Sequence, residues 1–217
     1  MDIKFSCASG SPYAWRIWLA LEHKALPYEL KIITYSSGDL QAPEFMILNR
    51  KKAPVLVVDG FVFYESQVVL EFLEDAYPDL GQRLFPEDVR QRALARRYIR
   101  YAEVFVAQAL ETMAGEILFK PVANWNGQSI IQARTTFVDE LAYFEKQLSS
   151  DFLSGDHAGA ADFSLYPMIA LALRLEISEP DLGIQAGIGP KVSAWMKRIE
   201  ALPYYAKTYP AHWKATV

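Results

Sequence analysis

The sequence predicts a small α/β domain at the N-terminus followed by a larger all-helical domain. Three observations carry this expectation. Short apolar runs alternate with helical patterns over the first 77 residues, an Asp-Gly dipeptide joins two of those runs, and beyond Glu87 strand signals give way to helical spacing alone. The first domain is set at residues 1–77 and the second at 88–217, with Pro78, Gly81 and Pro86 marking a linker.

Each element has a local cause. Ile3 and Phe5 alternate with Lys4 and Ser6, which reads as a first strand. Ser11-Pro12 opens a helix, because Ser is a favoured N-cap and Pro a favoured first helical residue. Ala14, Ile17, Trp18 and Leu21 share one face, and the pattern stops near Lys24, before Pro27. Tyr28 to Ile33 can form a second strand, parallel to the first through a right-handed crossover. Residues 36–52 read as irregular. Pro54 to Val58 and Phe61 to Tyr64 then flank Asp59-Gly60, whose preferred type I′ turn needs positive φ at both positions. A helix from Ser66 to about Ala76 closes the first domain, with Val69, Leu70 and Leu73 as its apolar stripe. In the second domain, helical patterns run from Asp88 to about Phe119, Ser129 to Leu148, Ala160 to Ile177 and Pro190 to Ala201.

Composition narrows the function. With 52% hydrophobic and 22% charged residues the chain can bury a full core. A net charge of -4 and no basic stripe argue against nucleic acid. Apolar runs are too short to span a bilayer, and no signal peptide is apparent. The lone Cys7 permits no internal disulfide, which fits a reducing compartment such as the cytoplasm. His23, His157 and His212 are scattered, so no metal-ligand spacing exists.

Three places in the first domain are candidates for one site. The loop Cys7-Ala8-Ser9-Gly10-Ser11-Pro12 joins the end of a strand to the start of a helix, where an anion is favoured. Taken alone, Ser11 there is more often just a cap, and Cys7 an inert small hydrophobe. Ala53-Pro54 enters a strand; a cis bond there would leave the Ala53 backbone available to pair with an extended peptide. Glu65-Ser66 stands at a strand-to-helix junction, where free N–H groups hold a carboxylate and Glu65 can take an ammonium.

Together, in this order and spacing, these features resemble the soluble glutathione transferases over essentially the whole chain. The likeness rests on "SGSPYAWRIWLALEHKALPYEL", "KKAPVLVVDGFVFYESQVVLEFLEDAYP", "GDHAGAADFSLYP" and "WMKRIEALPYY". The first stretch is most similar to the serine-type classes, including zeta and tau, and to many bacterial members. The resemblance implies a thioredoxin-like first domain of order β-α-β-α-β-β-α that binds glutathione, and a helical domain that supplies most of the electrophile pocket. Ser11 matches the serine that favours the glutathione thiolate; Ser9 is the other hydroxyl on that loop. Ala53 and cis-Pro54 match the residues that pair with the cysteinyl part, and Glu65 and Ser66 those that hold the γ-glutamyl end. Lys52 matches a lysine near the glycyl carboxylate, although Asn49-Arg50-Lys51-Lys52 is one residue shorter than the usual segment and lacks its Pro. In the helical domain Gly159 replaces the usual Ser or Thr three residues before Asp162.

Tyr13, Tyr101, Phe105, Met113 and Trp213 are candidates for the electrophile pocket. The implied activity is transfer of the glutathione thiol to electrophilic small molecules, a detoxification chemistry, in a homodimer. Glutathione is co-substrate, with no metal or redox cofactor. The rivals are a glutathione-dependent isomerase or dehalogenase, a redox enzyme using Cys7, and a non-catalytic binding or regulatory protein of the same fold.

Overall fold

The computed structural model describes residues 1–34 and 53–216, and side chains as far as residue 214. The chain divides into two compact units, Met1–Phe85 with Leu202–Val217, and Pro86–Ala201. Residues 202–217, expected in the helical domain, thus belong to the first unit.

In the first unit β1 (Ile3–Ala8) leads through α1 (Pro12–His23) to β2 (Glu29–Ile33); β3 (Val55–Val58), β4 (Phe61–Phe63) and α2 (Ser66–Ala76) follow. The sheet order is β2-β1-β3-β4. β1 pairs with β2 in parallel, as the crossover rule demands, and with β3 antiparallel. Asp59 and Gly60 both take positive φ, 49° and 85°, as the hairpin requires. The helix expected between β2 and β3 falls on residues outside those described.

The core of this unit is the inner face of β1, where Ile3, Phe5 and Cys7 are buried, packed against α1, which in turn packs on α2. α1 is covered on nearly all sides; Ala14, Ile17, Leu19, Ala20 and Leu21 have no exposed surface. The expected linker is anchored, since Leu84 and Phe85 are each 1% exposed.

The second unit is helical among its described elements: α3 (Val89–Tyr101), α4 (Ala107–Ile117), α5 (Gly127–Gln147), α6 (Ala160–Ser178), the one-turn α7 (Ile184–Gly187) and α8 (Pro190–Glu200). α3 and α4 follow one another without a break, joined by Ala102–Val106, a π-helical segment within the run. Such bulges carry no residue-type signature, so the spacing read as a single helix. Asp88 caps α3 through the N–H groups of Arg90 and Gln91, and Asn126 caps α5 through that of Ser129. A further turn, α9 (Tyr205–Thr208), and a 3-10 segment, Ala211–Thr216, lie in the first unit.

Candidate functional site

Strand directions bring the three candidate segments to one end of the sheet. β1 and β2 run in parallel and end at Ala8 and Ile33. β3 runs the other way, with Val55 opposite Ser6, so Ala53-Pro54 lies where β1 finishes. β4 reverses again and ends at Phe63, opposite Leu56, which delivers Glu65-Ser66 to the same end. The N-termini of α1 and α2 both start there, each with unpaired N–H groups and a positive dipole end.

Ser11 is the N-cap of α1 and is 7% exposed, yet its hydroxyl makes no capping hydrogen bond. Its N–H donates to Ala8 O at 3.1 Å, and that of Ser9 donates to Ile33 O at 3.3 Å, so the loop backbone is fixed. Ser9 Oγ is differently placed, 3.1 Å from Nδ1 of His212. Gly10 between them has φ +84°, and a Cβ there would stand 3.1 Å from the His212 ring and 3.2 Å from Trp213 Nε1. A side chain at position 10 is therefore opposed by both conformation and space.

The Ala53-Pro54 peptide is cis. Ala53 packs partly buried against Ala8, Ile33 and Val55. Glu65, the N-cap of α2, has φ 65° and ψ 96°, outside the regions favoured by a residue with a Cβ. That conformation costs on the order of 1–3 kcal/mol and persists where the surroundings impose it, commonly at functional positions. Glu65 is exposed and makes no side-chain cap bond, whereas Ser66 is buried. No residue pattern announces the φ of Glu65; it results from a sharp turn between β4 and α2.

Cys7 is 2% exposed and burial pushes its thiol up to about 12, so it stays a protonated core residue. This removes the redox reading. Lys52 lies outside the described residues. Of the pocket candidates, Tyr13 is half-buried, with the Arg16 guanidinium 5.0 Å from its ring. Trp213 is 5% exposed and lies edge-on to Trp15 and Tyr209 at 5.6 and 5.9 Å. Met113 has no exposed surface. Both are core, as aromatic and thioether side chains at helical spacing usually are. In the second unit Tyr101 stacks on Tyr143 at 4.1 Å, and burial with a hydrogen bond to Glu140 pushes its phenol up to about 12. Phe105, on the π-helical segment, is exposed and lines a cavity of about 310 Å³ with Gln108, Thr112, Gln132 and Thr136.

Asp162 compensates for the missing hydroxyl at Gly159. Its carboxylate accepts from the N–H groups of Gly159 and Leu153, each at 2.9 Å, and from Trp195 Nε1 at 2.7 Å. Burial outweighs these donors and pushes the carboxyl up to about 6.

Comparison with known proteins follows the same division of the chain. Residues 10–76 match the family model for the glutathione S-transferase N-terminal domain, and residues 87–198 that for the C-terminal domain. A probable maleylacetoacetate isomerase of Caenorhabditis elegans is 31% identical over 77% of each chain. Glutathione S-transferase A of Pleuronectes platessa is 24% identical over 98% of this chain and 93% of its own. A glutathione S-transferase structure from Methylobacterium radiotolerans, in complex with glutathione sulfonate, superposes with a TM-score of 0.78 at 27% identity, covering 97% of this chain and 95% of its own.

Proposed function

This chain belongs to the glutathione S-transferase family, and from that premise we propose that Ser11 donates its hydroxyl to the sulfur of bound glutathione. The protein is a glutathione transferase: an enzyme that activates the glutathione thiol for conjugation to electrophilic small molecules. The observation that supports Ser11 is the unused hydroxyl at the start of α1, beside a Ser9 hydroxyl already engaged by His212.

The chemistry follows from acidity. A free thiol has a pKa of roughly 8.5, so most of it is protonated and unreactive at neutral pH. A hydroxyl donor and the positive end of α1 both favour the thiolate, and each pKa unit of lowering is worth about 1.4 kcal/mol. The thiol proton leaves to water. The sulfur electron pair then attacks the electrophilic carbon, and a leaving group departs or a double bond takes up the charge. The Ala53 backbone pairs with the cysteinyl part, Glu65 takes the γ-glutamyl ammonium, and Ser66 with the first N–H groups of α2 takes its carboxylate. Lys52 is assigned to the glycyl carboxylate by the resemblance alone. Glutathione is the co-substrate, and this route draws on no metal or redox cofactor. We assign Phe105, which lines the cavity of the second unit, and Tyr101, whose ring lies 4.6 Å from that of Phe105, to a hydrophobic electrophile.

A cytoplasmic homodimer is the state this reading implies. Exposed Phe61 on β4, Tyr64 in the turn after it and Val68 on α2 support an apolar contact, and no helix among the described residues is long and apolar enough to cross a membrane. The likeness to the isomerase of Caenorhabditis elegans favours one second reading. Addition of the thiolate to a double bond, rotation and elimination would isomerise a substrate without consuming glutathione. The zeta-type loop carries a second serine and a cysteine where this chain has Pro12 and Tyr13.

Retention on immobilised glutathione, then a titration of the bound thiol by its ultraviolet absorbance, tests the proposal. Bound glutathione should ionise at lower pH than free glutathione, and Ser11→Ala should bring it back towards the free value while binding persists. Unchanged titration in Ser11→Ala rules the serine out. Consumption of glutathione with an aryl halide separates conjugation from isomerisation.

A further inference from the structure

The residues after Leu202 form a strap that runs back along α1, antiparallel to it. Tyr204 OH meets His23 Nδ1 at 2.6 Å, Lys207 Nζ meets Glu22 Oε1 at 2.6 Å, and Trp15 Nε1 donates to Thr208 Oγ1 at 3.0 Å. The ladder ends at the mouth of the helix, where His212 meets Ser9. Four successive side-chain contacts thus lead from the C-terminal end of α1 to the loop that precedes it, and Gly10 provides the space the His212 ring fills.

From this we infer that His212 is a positioning residue for the thiolate site: it engages the Ser9 hydroxyl and so leaves Ser11 as the hydroxyl that meets sulfur. The inference rests on the assignment of Ser11 above. A loop serine two residues before an N-cap can turn its hydroxyl to the free N–H groups of the helix or to the bound anion. Either would compete with Ser11 or shift the loop. With Nδ1 as the acceptor, the imidazole takes a hydrogen bond from the Ser9 hydroxyl and holds that side chain away from both. His212 touches neither substrate nor sulfur in this scheme; it acts through Ser9.

The test uses the full-length enzyme and five variants: His212→Leu, His212→Asn, Ser9→Ala, the double variant Ser9→Ala/His212→Leu, and Ser11→Ala. Each is measured for kcat, for KM towards glutathione, for the titration of bound glutathione and for Tm. One neutral hydrogen bond is at stake, so His212→Leu should lower kcat/KM for glutathione roughly threefold to tenfold and raise the pH at which the bound thiol ionises. Ser9→Ala removes the competing hydroxyl itself and should stay close to the wild type in both. The double variant should match Ser9→Ala, because without that hydroxyl His212 has nothing left to hold away. His212→Asn, whose amide reaches the place of Nδ1, should recover most of the loss. The inference is overturned if His212→Leu lowers Tm while kcat, KM and thiol titration keep their wild-type values. It is also overturned if the double variant is as impaired as His212→Leu. If Ser11→Ala leaves the thiol titration unchanged while Ser9→Ala moves it, the assignment of Ser11 falls, and this inference falls with it.

Discussion

The two ends of α1 are built differently. At the C-terminal end, fully buried Lys24 donates to Glu74 Oε2 at 3.1 Å, Leu84 N–H donates to the same oxygen at 2.8 Å, and Arg83 Nε stands 3.2 Å from Oε1. Gly81 packs so close to the Lys24 backbone that a Cβ would lie 2.3 Å from it. At the N-terminal end Ser11 is nearly as buried as Glu74, yet its hydroxyl makes no capping bond. A hydroxyl that caps nothing at a helix mouth stays available to a ligand anion, which the positive end of the helix also favours. One helix therefore separates stability from chemistry along its own length: the far end fixes it in the fold, and the near end stays open.

That contrast can be broken at either end. The largest effect belongs to the closed end. Glu74→Ala leaves the Lys24 ammonium buried without its carboxylate and should cost about 3–5 kcal/mol in urea unfolding. The folded fraction should keep its kcat. A loss of activity larger than the loss of folded protein would mean that this end, too, serves the chemistry.

A helix start with no open capacity sharpens the comparison. Asp162, at the beginning of α6, uses its carboxylate on three donors, and burial pushes it up to about 6 from an ordinary value near 4. The folded state therefore binds this proton more tightly than the unfolded chain. The stabilisation linked to it is fully present below about pH 4 and lost as pH rises through about 6. Two units correspond to about 3 kcal/mol. The stability of the wild type relative to Asp162→Asn, followed by urea unfolding from pH 4 to 7, should decline by that order. A difference that does not vary with pH rejects this account of Asp162.

At the open end, Ser11→Ala removes one hydrogen bond to a charged sulfur, worth about 1.5–3 kcal/mol, so kcat/KM should fall roughly tenfold to a hundredfold. Its Tm should stay close to that of the wild type, because no folded-state cap is lost. A large fall in Tm would show that the hydroxyl holds the fold after all. The smallest effect is expected at Cys7, beside the open loop but facing the core. Alkylation by iodoacetamide at pH 8 should proceed only at the rate of unfolding, and rapid labelling of the native protein would contradict its burial.

Much of this was legible in residue patterns. Ser11-Pro12 marked the start of α1, Asp59-Gly60 the hairpin, and Ser66 the start of α2, because caps and turns depend on a few adjacent residues. The candidate segments could be picked out for the same reason: each stands at a strand-to-helix junction or beside a proline. Order along the chain misled at the C-terminus. Residues 202–217 follow the helices of the second unit but cluster with the first. Trp213 and Met113, candidates for the pocket, are buried, and helical spacing alone shows which side chains share a face but not what covers it.

By itself the sequence determined the main described elements and their order, because capping, turn chemistry and apolar periodicity act between residues a few positions apart, and its motifs carried the resemblance to the family. Only the tertiary structure decided that Glu65 takes a left-handed φ, that α3 and α4 are joined through a π-helical segment, and that His212 comes to rest on Ser9. Those outcomes join residues distant along the chain or balance local strain against packing elsewhere, and no local pattern carries the energy that settles them.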